Sequence, residues 1–463
     1  MAISEPNVEA KADIATDADA VAVTPQVESG TPRLPPGPGF STAISTALWQ
    51  LRFAQYVTYC QRKYGHYFTI ALPISRTVVA VSDPEAIKAV FADRGEKGHA
   101  GEGNAILEPL LGTNSLLLLD GAQHTRHRRL VHPPFHGSRM AKYGDIIREA
   151  TLAEVAAWPL DRAFALLPSM QALTLKVILR AVFGISGAAQ TTRVATLVRR
   201  VTSPGSSPIA ALALLKRDFG PLRMWSNFVR DRALLDEALY AEIAARREAP
   251  DLGDRDDILS ILLLARDDDG QPMSDVELRD ELMTLLLAGH ETTATALAWF
   301  FDQVLHNPPV LARLQAELAD GHTAYLDAAI SETMRLRPVV GMVARKLSAP
   351  MQVGPYLLPA GAVVAPNIFL AHRRPDVYPE PLRFRPERFL DGRVEMYAWL
   401  PFGGGIRRCV GAEFALFEMR TAIPEILRGA TLRAADRRPD TISRRAVTLV
   451  PARGTRVIVD QKA

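Results

Sequence analysis

The pattern of residues 274–307 most limits the folds open to this chain of 463 residues. Ser274 followed by Glu277 is the pairing of a helix capping box, and apolar residues then recur at helical spacing through Phe301. The pattern stops at Asn307, ahead of two prolines. At about 1.5 Å per residue, the predicted helix is about 45–50 Å long, which is long enough to cross a whole domain.

The middle of this helix contains residues that weaken helices. Residues 288–293 read AGHETT. Glycine and adjacent threonines have poor helix propensity, and threonine hydroxyls compete for the backbone carbonyls. Something elsewhere in the fold must compensate for this weakness. Two interpretations stay open at this point: an ordinary buried helix with a polar kink, or a segment that serves a function.

A second unusual segment is PFGGGIRRCVG, residues 401–411, which contains Cys409. Three consecutive glycines permit positive φ and place no side chain between the backbone and whatever the sulfur faces. We therefore expect a flat, bulky group to fit against this backbone. From residue 412 the sequence turns helical, so Cys409 precedes a helix N-terminus, which favours an anion. The pattern predicts a thiolate; the alternative is a buried structural thiol in a tight turn.

Residues 121–129, GAQHTRHRR, are unusually dense in cations. His124 and Arg128 are four residues apart and share a helix face. A solvated helix face is the alternative explanation, above all for Arg126 and Arg129.

Further charged residues lie between 332 and 389. Glu332 and Arg335 are three apart on a predicted helix that ends before Arg337-Pro338. Such a pair is commonplace on helix surfaces and contributes only ~0.2–0.5 kcal/mol. Downstream, the segment PERF contains Arg388.

These segments together resemble the cytochrome P450 superfamily of haem-thiolate monooxygenases. Phe402, Gly405, Arg407, Cys409 and Gly411 match its F-x-x-G-x-R-x-C-x-G loop, and AGHETT matches its A-G-x-D/E-T-T signature. The remaining motifs follow in the order that is typical of the family.

The resemblance implies that the chain binds haem b. The residues implied for this role are His124, Arg128, Arg345, Phe402, Arg407, Cys409 and Gly411. Cys409 corresponds to the axial iron ligand, and thiolate ligation favours cleavage of the O–O bond. The histidine and the three arginines correspond to the groups that bind the two haem propionates.

The resemblance also implies catalytic and structural residues. Thr292 is expected to hold the oxygen species or a water, Ala288 to leave room for oxygen, and Glu291 to pass protons from solvent. In the family the helix deforms at this place. The structural cluster corresponds to Glu332, Arg335 and Arg388.

The composition suits a soluble globular protein, with 48% hydrophobic and 23% charged residues. Since no low-complexity linker divides the chain, we expect one large domain, mainly α with a minor β subdomain, over residues 34–463. Residues 1–33 are expected to be a disordered tail. The 54 basic and 51 acidic residues imply no global attraction to nucleic acid. Two cysteines, Cys60 and Cys409, favour neither a disulfide framework nor a zinc ribbon.

Local patterns predict the smaller elements. We expect a β-hairpin from residues 67–73 and 77–82, with a helix capped by Asp83-Pro84 after it. VTLV and RVIV near the C-terminus predict a last hairpin. The remaining predictions are a loop over a pocket at 95–119, helices over 145–200, a flexible lid at 203–208 and a surface connection at 246–257.

The implied reaction is hydroxylation or epoxidation of a lipophilic molecule by O₂, with a fatty acid, terpenoid or steroid as substrate. Three apolar segments are candidates for the pocket: residues 105–107, Ile209 to Leu215, and Val339 to Val343. Lys216 and Arg217 either pair with a substrate carboxylate or belong to a solvated lid.

Electrons are expected from a separate ferredoxin or flavodoxin with its reductase, since the sequence ends about fifty residues after Cys409. An acidic partner would dock near Arg126, Arg129 and Arg408. No run of about 18 apolar residues predicts a transmembrane anchor, so we expect a cytoplasmic monomer.

Two alternative functions remain at the level of sequence. A peroxide-driven peroxygenase of this family lacks an acid–threonine pair, whereas Glu291-Thr292 is present here. A non-enzymatic haem sensor or carrier needs the cysteine but not the threonine, and often carries a signalling domain.

Overall fold

The computed structural model describes residues 31–73, 75, 77–135, 139–184, 188–202, 218, 223–390, 395 and 397–462. Several predictions fall outside these residues: the tail up to residue 30, the lid at 203–208, and the pocket segment Ile209 to Leu215 with Lys216 and Arg217. Arg33 lies in the described part, where its N–H donates to the carbonyl of Leu357 at 2.9 Å.

Helices make up most of the described chain. In order they are α1 Thr42–Leu51, α2 Phe53–Tyr64, α3 Pro84–Ala92, α4 Ala100–Gly103, α5 Glu108–Leu111, α6 Gly121–Val131, α7 Arg139–Ala157, α8 Leu166–Phe183, α9 Ala188–Thr202, α10 Met224–Arg247, α11 Ile258–Leu264, α12 Asp275–Leu305, α13 Pro308–Ala319, α14 Ala324–Leu336, α15 Ile368–Ala371 and α16 Ala412–Gly429. The helices predicted over 145–200 correspond to α7, α8 and α9. The predicted loop at 95–119 instead contains the short helices α4 and α5.

The strands are short and form small sheets. They are β1 Tyr67–Ile70, β2 Val78–Val81, β3 Gly98–His99, β4 Phe164–Ala165, β5 Arg345–Leu347, β6 Met351–Val353, β7 Tyr356–Leu358, β8 Val363–Pro366, β9 Ala430–Ala434, β10 Ile442–Arg445, β11 Thr448–Pro451 and β12 Arg456–Lys462. The largest sheet has the order β1-β2-β8-β5-β3, and only its β2–β8 pair is parallel. The fold class predicted from sequence, mainly α with a minor β part, is confirmed.

Helix α12 has the predicted start and end. The Ser274 hydroxyl accepts from the N–H of Glu277 at 3.3 Å, and the N–H of Ser274 donates to the Glu277 carboxylate at 2.7 Å. The helix ends at Leu305, and its 31 residues span about 46 Å. It is α-helical throughout residues 288–293, so the expected deformation at this place is not found.

Packing against α8 compensates for the weak centre of α12. A Cβ on Gly289 would come within 2.9 Å of Ile178 Cδ1, so the glycine is what lets this side chain of α8 pack closely. The Thr174 hydroxyl, one turn earlier on α8, donates to the carbonyl of His290 at 3.0 Å. The hydroxyl of Thr295 donates to the carbonyl of Glu291 at 2.8 Å, within the helix itself.

The first predicted hairpin is confirmed, because β1 pairs antiparallel with β2. Asp83 caps α3 as predicted: its carboxylate accepts from the N–H of Ala86 at 3.0 Å, and Pro84 opens the helix.

The predicted C-terminal hairpin is wrong. Strand β11 pairs with β10, whereas β12 pairs with β9 and β4 in another sheet. The buried Asp440 carboxylate accepts the N–H groups of Arg453, at 2.9 Å, and Thr455, at 3.1 Å, and so directs the chain from one sheet to the other. The apolar pattern identified both strands but carried no information about their partners.

The predicted surface connection at 246–257 is wrong at both ends. Arg246 and Asp257 are buried and form an ion pair with each other. The Arg246 guanidinium also donates to Ser260 Oγ at 2.9 Å and to the Glu242 carboxylate at 2.8 Å. The polar composition of this segment predicted a surface position, but its end residues belong to a buried ion-pair cluster that joins α10 to α11.

Glu332, Arg335 and Arg388 form the predicted cluster, in the interior of the fold. The guanidinium of Arg335 donates to both oxygens of Glu332, at 2.6 and 2.8 Å, and both side chains are fully buried. Arg388 Nε donates to the same carboxylate at 3.2 Å. Arg335 also donates to the carbonyls of His372, at 2.7 Å, and Pro381, at 2.9 Å. The cluster thus joins α14 to the irregular chain that precedes Cys409.

Replacing one partner of this pair should be costly. We expect Glu332→Gln to lower the free energy of unfolding by about 3–5 kcal/mol, because it leaves the Arg335 charge buried without a counter-charge. Glu149→Gln is the matched control: its ion pair with Arg180 spans 2.6 Å, but the glutamate is 64% exposed, so its loss should cost under about 1 kcal/mol. Chemical denaturation measures both, and equal small losses would contradict the assignment.

Candidate active site

The loop before Cys409 turns tightly. Gly403 and Gly405 adopt positive φ, 68° and 63°, as the glycine run predicted. The N–H of Cys409 donates to the carbonyl of Phe402 at 2.9 Å and closes the loop. Gly411 is the N-cap residue of α16. The predicted position of Cys409, immediately before a helix, is therefore confirmed.

Two of the three glycines allow the close approach of α3. A Cβ on Gly404 would lie 2.7 Å from the ring of Phe91, and one on Gly405 would lie 2.3 Å from the Phe91 carbonyl oxygen. These two glycines therefore make room for α3. A Cβ on Gly403 would meet nothing within 4 Å, and the fit of a flat, bulky group against this backbone stays a prediction.

Cys409 is accessible to solvent, yet protein surrounds its sulfur closely enough that burial raises the pKa of the thiol above its ordinary value. The Gly411 N–H, and then the charges of Arg408 and Arg128, act in the opposite direction. Desolvation of the sulfur therefore opposes the effect of the helix N-terminus, and the predicted thiolate stays a prediction. A metal ion bound to the sulfur would remove the proton.

Four basic side chains come together near this loop. His124 and Arg128 lie on α6, Arg345 opens β5, and Arg407 lies in the turn before Cys409. Burial lowers the pKa of Arg345 and of Arg407 to about 10, and burial together with the three arginines lowers the pKa of His124 to about 3. The predicted propionate ligands therefore belong to one cluster, in which the positive charges disfavour one another.

Few acidic groups balance this cluster in the described part of the chain. Asp120 forms an ion pair with Arg407, which also donates to the carbonyls of Leu116, at 3.1 Å, and Leu119. Within the described residues, the Arg128 guanidinium has no hydrogen bond or ion pair. The cluster is thus a place where an anionic group would be stabilised.

One face of α12 is open in the middle of the fold. Ala288 is exposed, although most of the helix around it is buried. Leu285 and Thr292, which share its face by helical spacing, are partly exposed. A row of accessible residues along an otherwise buried helix is typical of the wall of an interior cavity.

Thr292 and Glu291 point in different directions. The Thr292 hydroxyl donates to the carbonyl of Ala288 at 2.5 Å and so stays on the open face. Glu291 is turned towards α8, where it accepts from Gln171 Nε2 at 2.7 Å, and Arg445 lies 4.0 Å from its other oxygen. The analysis of the sequence missed Gln171 and Arg445, since no motif or spacing connects residues so distant along the chain.

His372 links the Glu332 cluster to the cysteine loop. Its Nε2 accepts from the N–H of Leu400 at 2.7 Å, and its Nδ1 lies 3.2 Å from the carbonyl of Arg335. Burial and the nearby Arg335 lower the pKa of His372 to about 3. No sequence signal pointed to this residue.

The predicted docking arginines are not equivalent. Arg126 is engaged within the fold, since its guanidinium donates to Asp267 at 2.6 Å and to Glu277 at 2.7 Å. Its charge is therefore balanced by carboxylates within the fold. Arg129 is exposed and pairs with exposed Asp268, and Arg408 lies 3.7 Å from Glu413.

The two described pocket segments differ in their surroundings. Residues 105–107 form a partly exposed 3-10 turn. The segment Val339 to Val343 adjoins β11, because the N–H of Leu449 donates to the carbonyl of Val339 at 2.7 Å.

Among the described helices, α8 alone is long and apolar enough to cross a membrane, but two-thirds of it is buried in the fold, as in a core helix.

Comparison with known proteins gives a consistent result. Residues 32–459 match the family described as Cytochrome P450. The chain is 42% identical to cytochrome P450 135B1 of Mycobacterium tuberculosis and Mycobacterium bovis over 433 residues, 92% of this chain and 91% of the relative. It is 38% identical to cytochrome P450 137 of Mycobacterium tuberculosis, over 94% of this chain and 92% of the relative.

Solved structures agree with this result. The structure of retinoic acid bound cyanobacterial CYP120A1 superposes with a TM-score of 0.80 at 26% identity, covering 94% of this chain and all of that one. The cytochrome P450DA heme domain superposes at 0.79 with 22% identity, over 94% of this chain and 99% of that one, which shows the fold.

The chain therefore belongs to the cytochrome P450 family. This is a family of haem-thiolate monooxygenases, in which an axial cysteine binds the haem iron. The residues present fit such a group: an accessible cysteine lies beside a cationic cluster with few counter-charges, which suits the two carboxylates of haem.

The buried imidazole of His372 predicts a pH dependence of stability. Between its ordinary pKa of 6.5 and about 3, the unfolded state binds a proton that the folded state excludes, so the free energy of unfolding falls as pH drops. The slope from this residue is at most about 1.4 kcal/mol per pH unit.

Denaturation at a series of pH values tests this dependence. We expect His372→Gln to give a flatter curve than wild type between pH ~6.5 and ~4. Above pH ~7.5 the imidazole is neutral in both the folded and the unfolded wild type. The constant difference in unfolding free energy between wild type and variant in this range measures the effects of the substitution that do not depend on protonation. Parallel curves over the whole range would contradict the prediction.

Proposed function

We propose that this chain is a haem monooxygenase that hydroxylates or epoxidises a lipophilic small molecule, with Cys409 as the axial ligand of haem b. The observation that carries the proposal is the proximity of Cys409 to the cationic cluster, since the charge of its member Arg128 acts on the sulfur. His124, Arg128, Arg345 and Arg407 would hold the propionates, and Phe402 and Gly411 would shape the loop around the sulfur.

Bound haem supplies the activation of O₂, for which two electrons and two protons are required. The chain's own residues position the reactants and deliver protons. Ala288 leaves space on the open face of α12, and the Thr292 hydroxyl holds an oxygen species or a water there. Glu291 passes protons from solvent towards this face.

Carbon monoxide tests the ligand assignment. The haem-loaded, reduced protein should show a far-red-shifted Soret band under carbon monoxide, because the axial ligand is a thiolate. Cys409→Ser should lose this band. Cys60→Ala is the matched control and should keep it, since Cys60 is buried in the cluster around α2, apart from the site. Retention of the band by Cys409→Ser would contradict the assignment.

Replacing the Thr292 hydroxyl should divert electrons into peroxide. We expect Thr292→Ala to keep haem but to raise by about tenfold the share of NAD(P)H electrons recovered as hydrogen peroxide, because proton delivery for O–O cleavage is impaired. Thr295→Ala is the control: its hydroxyl makes the same kind of bond to its own helix, at 2.8 Å, but it is fully buried. A Thr292→Ala protein with wild-type peroxide release would remove Thr292 from the relay.

The proposed substrate is lipophilic, such as a fatty acid, terpenoid or steroid. Two observations support this class. The segment Val339 to Val343 is apolar and adjoins β11. In addition, the cyanobacterial relative of similar fold is described as bound to retinoic acid, which is a terpenoid acid.

We further propose that a separate ferredoxin or flavodoxin with its reductase supplies the electrons in the cytoplasm. The exposed Arg129, with Arg408, supports docking of an acidic partner on the side of the cysteine loop. Arg126 is left out of this surface because its charge is used within the fold.

A further inference from the structure

The two oxygens of the Glu291 carboxylate differ in their hydrogen bonding. Oε2 accepts a hydrogen bond from the side-chain amide of Gln171 at 2.7 Å. Oε1 is buried and has no hydrogen-bond partner among the described residues, and Arg445 Nη1 lies 4.0 Å from it. A buried carboxylate oxygen without a donor is costly, so its persistence calls for a functional explanation.

Gln171 is held in place by the packing of α8 on α12. It lies three residues before Thr174, whose hydroxyl bonds the carbonyl of His290 at 3.0 Å. Four residues further along α8, Ile178 packs against Gly289. These contacts fix the register of the two helices, so the amide of Gln171 reaches Glu291 from a rigid element.

Arg445 is held by a separate element. It ends β10, and the neighbouring strand β11 is anchored to α12 because Trp299 Nε1 donates to the carbonyl of Leu449 at 2.8 Å. The Arg445 side chain is 34% exposed and that of Glu291 is 21% exposed. Arg445, the more exposed of the two side chains, therefore lies beside the buried Oε1 of Glu291.

We propose that Gln171 and Arg445 are positioning residues that act through Glu291 in proton delivery. Gln171 occupies Oε2 and fixes the rotamer of the carboxylate. The Arg445 charge keeps the buried Oε1 next to a side chain that solvent reaches. From that side Oε1 accepts a proton, which it then releases towards the face of Thr292. This inference rests on the proposed monooxygenase function and names two residues that serve it.

The fate of oxygen reports on proton delivery even when the substrate is unknown. With electrons from NADPH, O₂ plus two electrons and two protons gives hydrogen peroxide, whereas O₂ plus four electrons and four protons gives two molecules of water. Poor proton delivery leaves the O–O bond intact and favours peroxide. Peroxide formed per NADPH consumed is therefore a readout that a loss of stability alone does not change.

The test compares haem-loaded wild type, Gln171→Leu, Arg445→Gln and Arg445→Lys with a plant-type ferredoxin and its reductase, in H₂O and in D₂O. We expect Gln171→Leu and Arg445→Gln each to raise peroxide per NADPH about threefold and to increase the solvent isotope effect on NADPH consumption. Arg445→Lys retains the charge and should restore most of the wild-type ratio.

Two controls keep the proposal specific. Arg444→Gln should leave the ratio unchanged, because the neighbouring Arg444 stacks on Trp49, at 4.8 Å, rather than facing Glu291. Adding Gln171→Leu to Glu291→Gln should raise peroxide no further than Glu291→Gln alone. If the increase is the same in both backgrounds, Gln171 does not act through Glu291 and the proposal is overturned.

The outcomes also separate this proposal from the function on which it rests. A wild-type protein without the carbon monoxide band contradicts the proposed function. A wild-type protein with that band, whose Gln171→Leu and Arg445→Gln variants give the wild-type ratio and isotope effect, contradicts the positioning role alone.

Discussion

The contact between α8 and α12 is the interaction on which the proposed site depends. Helix α12 carries glycine and adjacent threonines at its centre, which have poor propensity for the helix they occupy. Ile178 fills the space left by Gly289, and Thr174 bonds the carbonyl of His290 at 3.0 Å. The same helix that stabilises one side of α12 therefore leaves the opposite face, with Ala288, free for chemistry.

The basic cluster near Cys409 destabilises the protein, whereas the contact between α8 and α12 stabilises it. Within the described residues, the cluster of His124, Arg128, Arg345 and Arg407 has more positive charge than its acidic neighbours balance, and burial lowers the pKa of each member. Such a cluster costs stability until an anion joins it. The carboxylates of haem would supply that anion, so cofactor binding and folding are coupled here.

The sequence predicted what depends on local pattern and on motifs. It identified the ends of α12, the cap of α3, the position of Cys409 and the cluster of Glu332. It failed where partners are distant along the chain: the pairing of β12, the burial of Arg246, and the contacts of Glu291 with α8 and β10. These depend on tertiary packing, which periodicity and spacing do not encode.

Ion pairs near the N-terminus of α12 and a hydrogen bond near its C-terminus explain how its middle tolerates an open face. Near the N-terminus, His127 Nδ1 lies 2.8 Å from Glu281, and Arg126 bonds Glu277 at 2.7 Å. Near the C-terminus, the Asp302 carboxylate accepts the N–H of Asp440 at 2.9 Å. Since the termini are fixed by these contacts, the central residues need not bury every side chain to keep the helix in place. Stability and chemistry are thereby assigned to different turns of one helix.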